Sequence, residues 1–224
     1  MPAVAPLDSA RPVVEQLRER VAALERRPAR QPVPTLQALA GVVPMRAGAT
    51  YGVDSASLAL AMAAGASQTG EWVGFAGWPD FGAEAAVALG VDLTRTVLVP
   101  DLGEHWLEVT AALVDVLRVV VLRPPAALGA QAVGVLESRL RTRSAALVVW
   151  GDWPGCEARL STELSRWSGL ADGRGRLRTR WTRVAVRRGA RSVQWLELVL
   201  TDGAEALADV PEVGAPEFTS VGEA

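Results

Sequence analysis

Residues 41–60, GVVPMRAGATYGVDSASLAL, decide the fold because they join a short apolar strand to a helix through a glycine-containing turn. We predict a strand over 47–51 and a helix over 55–66. The same unit, a short apolar run followed by a helical pattern, recurs to about residue 167. Apolar strands that alternate with helices predict an α/β domain with a mostly parallel sheet covered on both faces.

The remaining elements follow from the same reasoning. Asp80 is a plausible N-cap and Gly90 a plausible C-terminal cap for the helix that they flank. The sequence RRGARS at 187–192 contains a glycine between two apolar strands and predicts an antiparallel C-terminal hairpin at the sheet edge. The predicted strands cover 72–76, 96–99, 119–122, 145–150, 177–186 and 193–200, and the predicted helices cover 82–89, 104–117, 126–140 and 157–167.

Composition shifts divide the chain into three parts. Residues 1–40 predict an N-terminal amphipathic helix and a proline-rich linker, 41–201 the α/β domain, and 202–224 an acidic, disordered tail with six acids and no base. The helix either packs on its own domain or docks on a partner. Its apolar face consists of Val13, Leu17, Val21 and Leu24.

The charged and reactive residues exclude several classes of function. All 23 basic residues are arginine, the chain has no lysine, and the formal net charge is −2. One Cys and one His allow neither an internal disulfide nor a metal site built from Cys and His ligands. The N-terminus lacks a signal-peptide pattern and no segment reads as membrane-spanning. We expect a cytoplasmic protein without a metal or cofactor.

Four stretches in order resemble the RecA ATPase core. Residues 41–60 resemble its strand, phosphate loop and helix, and 75–101, FAGWPDFGAEAAVALGVDLTRTVLVPD, its second strand, acidic turn and following helix end. Residues 117–128, LRVVVLRPPAAL, resemble the strand that carries the Walker B aspartate. Residues 146–155, ALVVWGDWPG, resemble the strand that ends in a nucleotide-sensing residue. The resemblance implies a RecA-like fold over roughly 41–200.

The residues that the ATPase chemistry requires are absent from these stretches. A phosphate loop needs a Lys for the phosphates and a Ser or Thr for Mg²⁺, and the aligned positions hold Leu58 and Ala59. The Walker B position holds Arg123, a cation where Mg²⁺ would bind. The catalytic acid position falls near Trp78, and the sensing position falls on Asp152. Four losses together predict a protein that is not an ATPase.

Among RecA relatives, the chain most resembles the ImuA-prime family of actinobacteria. The resemblance implies an SOS-induced accessory protein of mutagenic translesion synthesis after DNA damage. It implies a partner, ImuB, which is an inactive Y-family polymerase homologue, and an error-prone C-family polymerase in the same complex.

Two further surfaces are candidates for binding. Trp78, Trp150 and Trp153 lie near carboxyl ends of predicted strands, where open α/β sheets bind ligands. These tryptophans either fill the hollow left by the lost nucleotide or form an exposed partner-binding patch, and the turn at Pro154 predicts that the indole of Trp153 points outward.

The second surface is an arginine-rich hairpin, which suits single-stranded nucleic acid, an acidic protein or solvent. Two functions therefore remain open: a non-catalytic adaptor of DNA-damage tolerance, and a RecA-like regulator that binds single-stranded DNA without ATPase activity. The arginines are Arg174, Arg176, Arg178, Arg180, Arg183, Arg187, Arg188 and Arg191.

Overall fold

The computed structural model describes residues 30–124, 129–171 and 174–201, without the side chains of residues 170–178 and 200–201. The chain divides into two compact units, Met1–Gln31 and Pro32–Ala224. The predicted N-terminal helix and the acidic tail lie outside the described residues.

The strands of the described part form a single sheet in the order β3-β2-β4-β5-β1-β6-β7-β8. Strands β1 to β5 pair in parallel, β6 runs parallel to β1, and β6, β7 and β8 pair antiparallel. This confirms the predicted RecA-like α/β fold class. The strands are β1 (Thr50–Val53), β2 (Val73–Ala76), β3 (Thr96–Val99), β4 (Val119–Leu122), β5 (Ala146–Trp150), β6 (Ala158–Ala171), β7 (Arg174–Arg187) and β8 (Gln194–Thr201).

Helices cover both faces of the parallel strands. Residues Leu93–Arg95 and Gly103–His105 form short 3₁₀ turns. The α-helices are α1 (Gln37–Ala40), α2 (Ala56–Gln68), α3 (Ala83–Ala88), α4 (Trp106–Val116) and α5 (Ala130–Arg143).

Each face of the sheet has its own hydrophobic core. Val119 and Val121 of β4 pack in the cluster around α2, and Val120 and Leu122 pack in the cluster around α4 and α5. Successive strand residues point to opposite faces, so a strand buried on both sides must be apolar throughout. This explains the continuous apolar runs of the sequence.

Helix α2 is buried almost all round, because its small side chains let backbone pack against it. A Cβ on Gly65 would lie 2.5 Å from the backbone nitrogen of Leu36. Val33, Leu36 and Leu39 are buried in the same core. The compact unit therefore starts before the predicted boundary at residue 41, and residues 32–40 are not a free linker.

The predicted helix at 157–167 is wrong, because residues 158–167 form the first part of β6. Leu160, Leu164 and Trp167 have helical spacing, which favoured a helix from sequence alone. In the fold, Ala158–Leu160 extend the sheet by pairing with Tyr51–Val53 of β1. The long-range pairing overrides the local pattern.

Of the two predicted caps of α3, the C-terminal one is confirmed and the N-terminal one is wrong. Gly90 has a φ of +87°, which fits the left-handed residue after a helix end. The N-cap is Gly82, and not Asp80. Asp80 instead pairs with Arg123.

No helix in the described ranges combines the length and apolar character needed to cross a membrane.

Candidate functional site

The turn between β1 and α2 is too short to cradle a phosphate. Asp54 and Ser55 alone separate the end of β1 from the start of α2. Leu58 and Ala59, at the aligned Lys and Ser/Thr positions, are 2% and 0% exposed. They belong to the core below the turn and cannot reach a nucleotide.

A carboxylate lies beside this turn. Asp54 Oδ2 accepts a hydrogen bond from the backbone nitrogen of Thr162 in β6, at 2.7 Å. The N-terminus of a helix normally favours an anion. The charge of Asp54 opposes the approach of a second anion, and its bond ties the turn to β6.

Arg123 follows the last residue of β4 and stands at the aligned Walker B position. Its Nη1 lies 3.1 Å from Asp80 Oδ1, and its guanidinium lies 4.5 Å from the ring centroid of Trp150. Trp150 Nε1 donates to the Asp54 carbonyl at 3.2 Å. These contacts join the carboxyl ends of β4, β5 and β1, which is the edge where open α/β sheets bind ligands.

An aromatic cluster extends this arrangement into the core. The ring centroids of Trp78 and Trp150 are 4.7 Å apart, and those of Trp78 and Phe81 are 5.4 Å apart. Phe75 lies 4.8 Å from Phe81. Trp78 is 4% exposed, so it packs inside and does not present an outward surface.

The outward orientation predicted for Trp153 is wrong. Its side chain is 4% exposed and packs in the cluster around α4 and α5. Gly151 and Gly155, with φ of +138° and +69°, bend the chain so that the indole lies over this core. Of the three predicted tryptophans, Trp150 keeps partial exposure.

The predicted arginines of the hairpin do not share one surface. Arg180 Nη1 donates to Ser57 Oγ of α2 at 2.8 Å, and Arg188 donates to the carbonyl of Val42. Both therefore hold the antiparallel strands against the domain. Arg191 lies in the exposed turn between β7 and β8. The side chains of Arg174, Arg176 and Arg178 lie outside the described part.

The face of β7 that looks away from α2 carries the other arginines. Val184 and Val186 point into the α2 core, so alternate residues of β7 point to the opposite side. Residues directly opposite in an antiparallel pair share a face. We call this surface the outer face. Its members include Leu164, Arg166, Trp181, Arg183, Arg187, Trp195, the exposed acid Glu197 opposite Arg183, and the buried Val199 opposite Trp181.

The outer face exposes large apolar side chains between charges. Trp195, Leu164 and Trp181 are 49%, 42% and 36% exposed. The guanidinium of Arg183 lies 4.5 Å from the ring centroid of Trp195. Arg187 Nη2 lies 3.1 Å from Glu163 Oε1.

Sequence reasoning missed part of this face. Arg166 and Trp195 were not candidates, because 157–167 was predicted as a helix and Trp195 as an ordinary strand residue. The repeated dipeptides Arg166-Trp167 and Arg180-Trp181 are the signal that could have revealed the paired strands.

Comparison with known proteins places the parallel part of the chain in a family. A family model described as "MT3502 N-terminal domain" matches residues 37–155, just over half of the chain. A Mycobacterium tuberculosis protein described as "Uncharacterized protein Rv3395c" is 37% identical over 133 residues. That alignment covers 56% of this chain and 63% of the relative, so the chain spans less than two thirds of the relative's length. The antiparallel strands β6 to β8 follow the segment matched by the family model.

Proposed function

Since the chain belongs to the MT3502 N-terminal domain family, we propose that it is a non-catalytic adaptor built on a RecA-like sheet. The adaptor keeps the α/β scaffold and has lost the nucleotide chemistry. Following its resemblance to the ImuA-prime family, it acts in the cytoplasm, in SOS-induced translesion synthesis and mutagenesis. It binds an ImuB-like inactive Y-family polymerase and, through it, an error-prone C-family polymerase.

The observation that carries this proposal is the position of Arg123. Its cation takes the place of a Mg²⁺-binding carboxylate at the end of β4, where it pairs with Asp80 and covers Trp150. Like charges repel, so Mg²⁺ loses stabilisation at this edge. The short turn at Asp54 and the buried Leu58 remove the phosphate contacts as well.

The burial of two predicted tryptophans narrows the choice of surface for the polymerase contact. Trp78 and Trp153 are core residues, which removes them as direct partner contacts. The apolar face of Val13, Leu17, Val21 and Leu24 lies outside the described residues and stays a prediction. We assign the polymerase contact to this face, because an amphipathic helix can dock its apolar side in a groove of a partner.

Calorimetry on the full chain tests the loss of nucleotide chemistry. Titration with ATP–Mg²⁺ at submillimolar concentration should give no heat of binding. Phosphate release stimulated by single-stranded DNA from the purified protein would contradict the proposal.

Complex formation tests the adaptor role. The purified chain should co-elute with the purified ImuB-like polymerase homologue on size-exclusion chromatography, with neither ATP nor DNA present. The double variant Leu17→Ser, Val21→Ser should lose the complex, and the matched variant Glu15→Ser, Glu19→Ser, on the opposite side of the predicted helix, should keep it. Failure of the unaltered chain to bind the homologue would refute the adaptor role, and equal binding by both variants would move the interface elsewhere.

A further inference from the structure

We propose that the outer face of β6, β7 and β8 is a binding site for single-stranded nucleic acid. This site consists of residues other than those of the proposed polymerase contact and of the turn after β1. Its basis is the arrangement of arginine and tryptophan side chains on an exposed antiparallel sheet.

Two consecutive cross-strand pairs each combine one arginine with one tryptophan. Arg166 of β6 is opposite Trp181 of β7, and Trp167 is opposite Arg180. Neighbouring pairs point to opposite faces, so each face of the ribbon carries one cation and one indole at the same level. Only the pair Arg166 and Trp181 lies on the outer face, since Arg180 bonds to Ser57 of α2.

A second arginine–tryptophan pair lies farther along the outer face. Trp195 of β8 is opposite Ala185, four residues along β7 from Trp181. At about 3.3 Å per residue the two indoles are separated by about 13 Å along the strand. Arg183 lies between them and covers one side of Trp195, which remains 49% exposed. The outer face thus presents two stacking platforms with cations beside each.

The charge of this segment complements a polyanion. Residues 163–183 contain six arginines and two acidic residues, in a chain whose formal net charge is −2. Arginine side chains near phosphates release counterions and supply most of the affinity for a nucleic acid backbone. Of these six arginines, Arg166 and Arg183 lie on the outer face, together with Arg187 and with Glu197 opposite Arg183.

The exposed tryptophans favour a single strand over a duplex. A base can stack on an indole only when it is not paired and stacked inside a helix, and such stacking tolerates any base sequence. A duplex would use the arginines and leave the indoles without partners. A purely acidic protein segment would do the same.

The proposal is tested by measuring how tightly the full chain binds an oligothymidylate of about 16 nucleotides. Fluorescence anisotropy reports the binding over a range of salt concentrations. The double variant Arg166→Gln, Arg183→Gln should weaken binding and reduce the slope of log K against log salt by about 1.4, or 0.7 for each lost phosphate contact. The matched variant Arg141→Gln, Arg143→Gln removes the same charge from α5, where both side chains are 54% exposed, and should leave the slope unchanged.

A tryptophan pair tests stacking separately from charge. Trp195→Ala should weaken oligothymidylate binding about 5- to 150-fold, the loss expected for one stacked base. Trp72→Ala removes an indole of similar exposure, 46%, from the start of β2 and should have no effect on binding. Melting temperatures of all four variants establish that each one is folded.

The outcomes separate the proposal from its competitors. Absence of oligothymidylate binding at low salt, or equal losses in the outer-face and α5 arginine variants, would overturn it. Tighter binding to a duplex of the same length would overturn the assignment to single strands. If the outer-face variants bind the oligonucleotide as the unaltered chain does but no longer bind the polymerase homologue, the outer face is a protein-binding surface. No polymerase is needed for the first measurement, so the adaptor proposal can fail while this one stands.

Discussion

The guanidinium of Arg123 lies 4.5 Å from the ring centroid of Trp150, with Nη1 of the same arginine 3.1 Å from the carboxylate of Asp80. The arginine thus bridges the turn after β2 and the end of β5. These contacts make Arg123 part of the packing at this edge of the sheet. Its contribution to stability is measurable apart from any question of nucleotide.

A double-mutant cycle measures the contact between Arg123 and Trp150. Arg123→Ala combined with Trp150→Leu should give a coupling free energy of about 0.5–1 kcal/mol in urea unfolding, as expected for a partly exposed cation–π pair. Arg123→Ala combined with Trp72→Ala should be additive, because Trp72 lies at the opposite end of the strands. A coupling indistinguishable from that control would show that the two groups do not interact in solution.

The ion pair between Arg123 and Asp80 should contribute less to the free energy of unfolding than the contact between Arg123 and Trp150. The two side chains are 42% and 73% exposed, and ion pairs at that exposure are worth about 0–1 kcal/mol and are screened by salt. Asp80→Asn should therefore change the free energy of unfolding by less than about 1 kcal/mol, with the difference vanishing at high salt. A salt-independent loss would mean that the pair is more buried than its geometry indicates.

Trp153→Ala should destabilise the fold. The indole is 4% exposed among residues of α4 and α5, and truncation of a buried tryptophan to alanine costs about 3–5 kcal/mol. Trp72→Ala, with an indole that is 46% exposed, should lower the free energy of unfolding far less. Urea unfolding of both variants checks the difference, and similar losses would show that Trp153 is not a core residue.

Two helical glycines should respond to alanine in opposite ways. A Cβ on Gly65 would lie 2.5 Å from the backbone of Thr35, a contact that only a shift of the backbone can relieve, whereas a Cβ on Gly134 of α5 meets nothing within 4 Å. We expect Gly134→Ala to stabilise the domain by about 0.5–1 kcal/mol, because alanine is the better helix former. Gly65→Ala should destabilise it, and thermal unfolding of the two variants compares them directly. A stabilising Gly65→Ala would show that residues 35 and 36 do not pack closely on α2.

Local patterns in the sequence located most of the parallel strands, although the first, predicted over 47–51, lies at Thr50–Val53. The strand at 119–122 was predicted with the bounds that the structure has, because a buried parallel strand is apolar at every position. The strand at 96–99 also has its predicted bounds, although it is a partly exposed edge strand. The helical spacing of Leu160, Leu164 and Trp167 gave the wrong element, since the partner strand β1 lies more than a hundred residues away in sequence. Local periodicity carries no information about such a partner.

The candidate sites were harder to predict than the fold. The place of Arg123 directly after an apolar strand could be read from the sequence. The burial of Trp153 could not be predicted from the sequence, because it depends on the positive φ angles of Gly151 and Gly155. The outer face requires the register of three strands, which places Arg166 opposite Trp181. Long-range register follows from tertiary pairing and not from neighbouring residues.

The single thiol, Cys156, should react slowly with alkylating reagents. Burial raises the pKa of Cys156 above its ordinary value, and the nearby positive charge of Arg159 opposes the rise without cancelling it. A raised pKa means that the thiolate, which is the reactive form, is scarce at neutral pH and increases only at higher pH. We expect the midpoint of the rate against pH to lie above that of the protein unfolded in guanidinium chloride, where the thiol is free. Glu137 also raises the pKa of Cys156, so Glu137→Gln should lower that midpoint. Rapid alkylation at neutral pH in the folded protein would contradict this account and would indicate that the thiol is open to solvent beside the arginine.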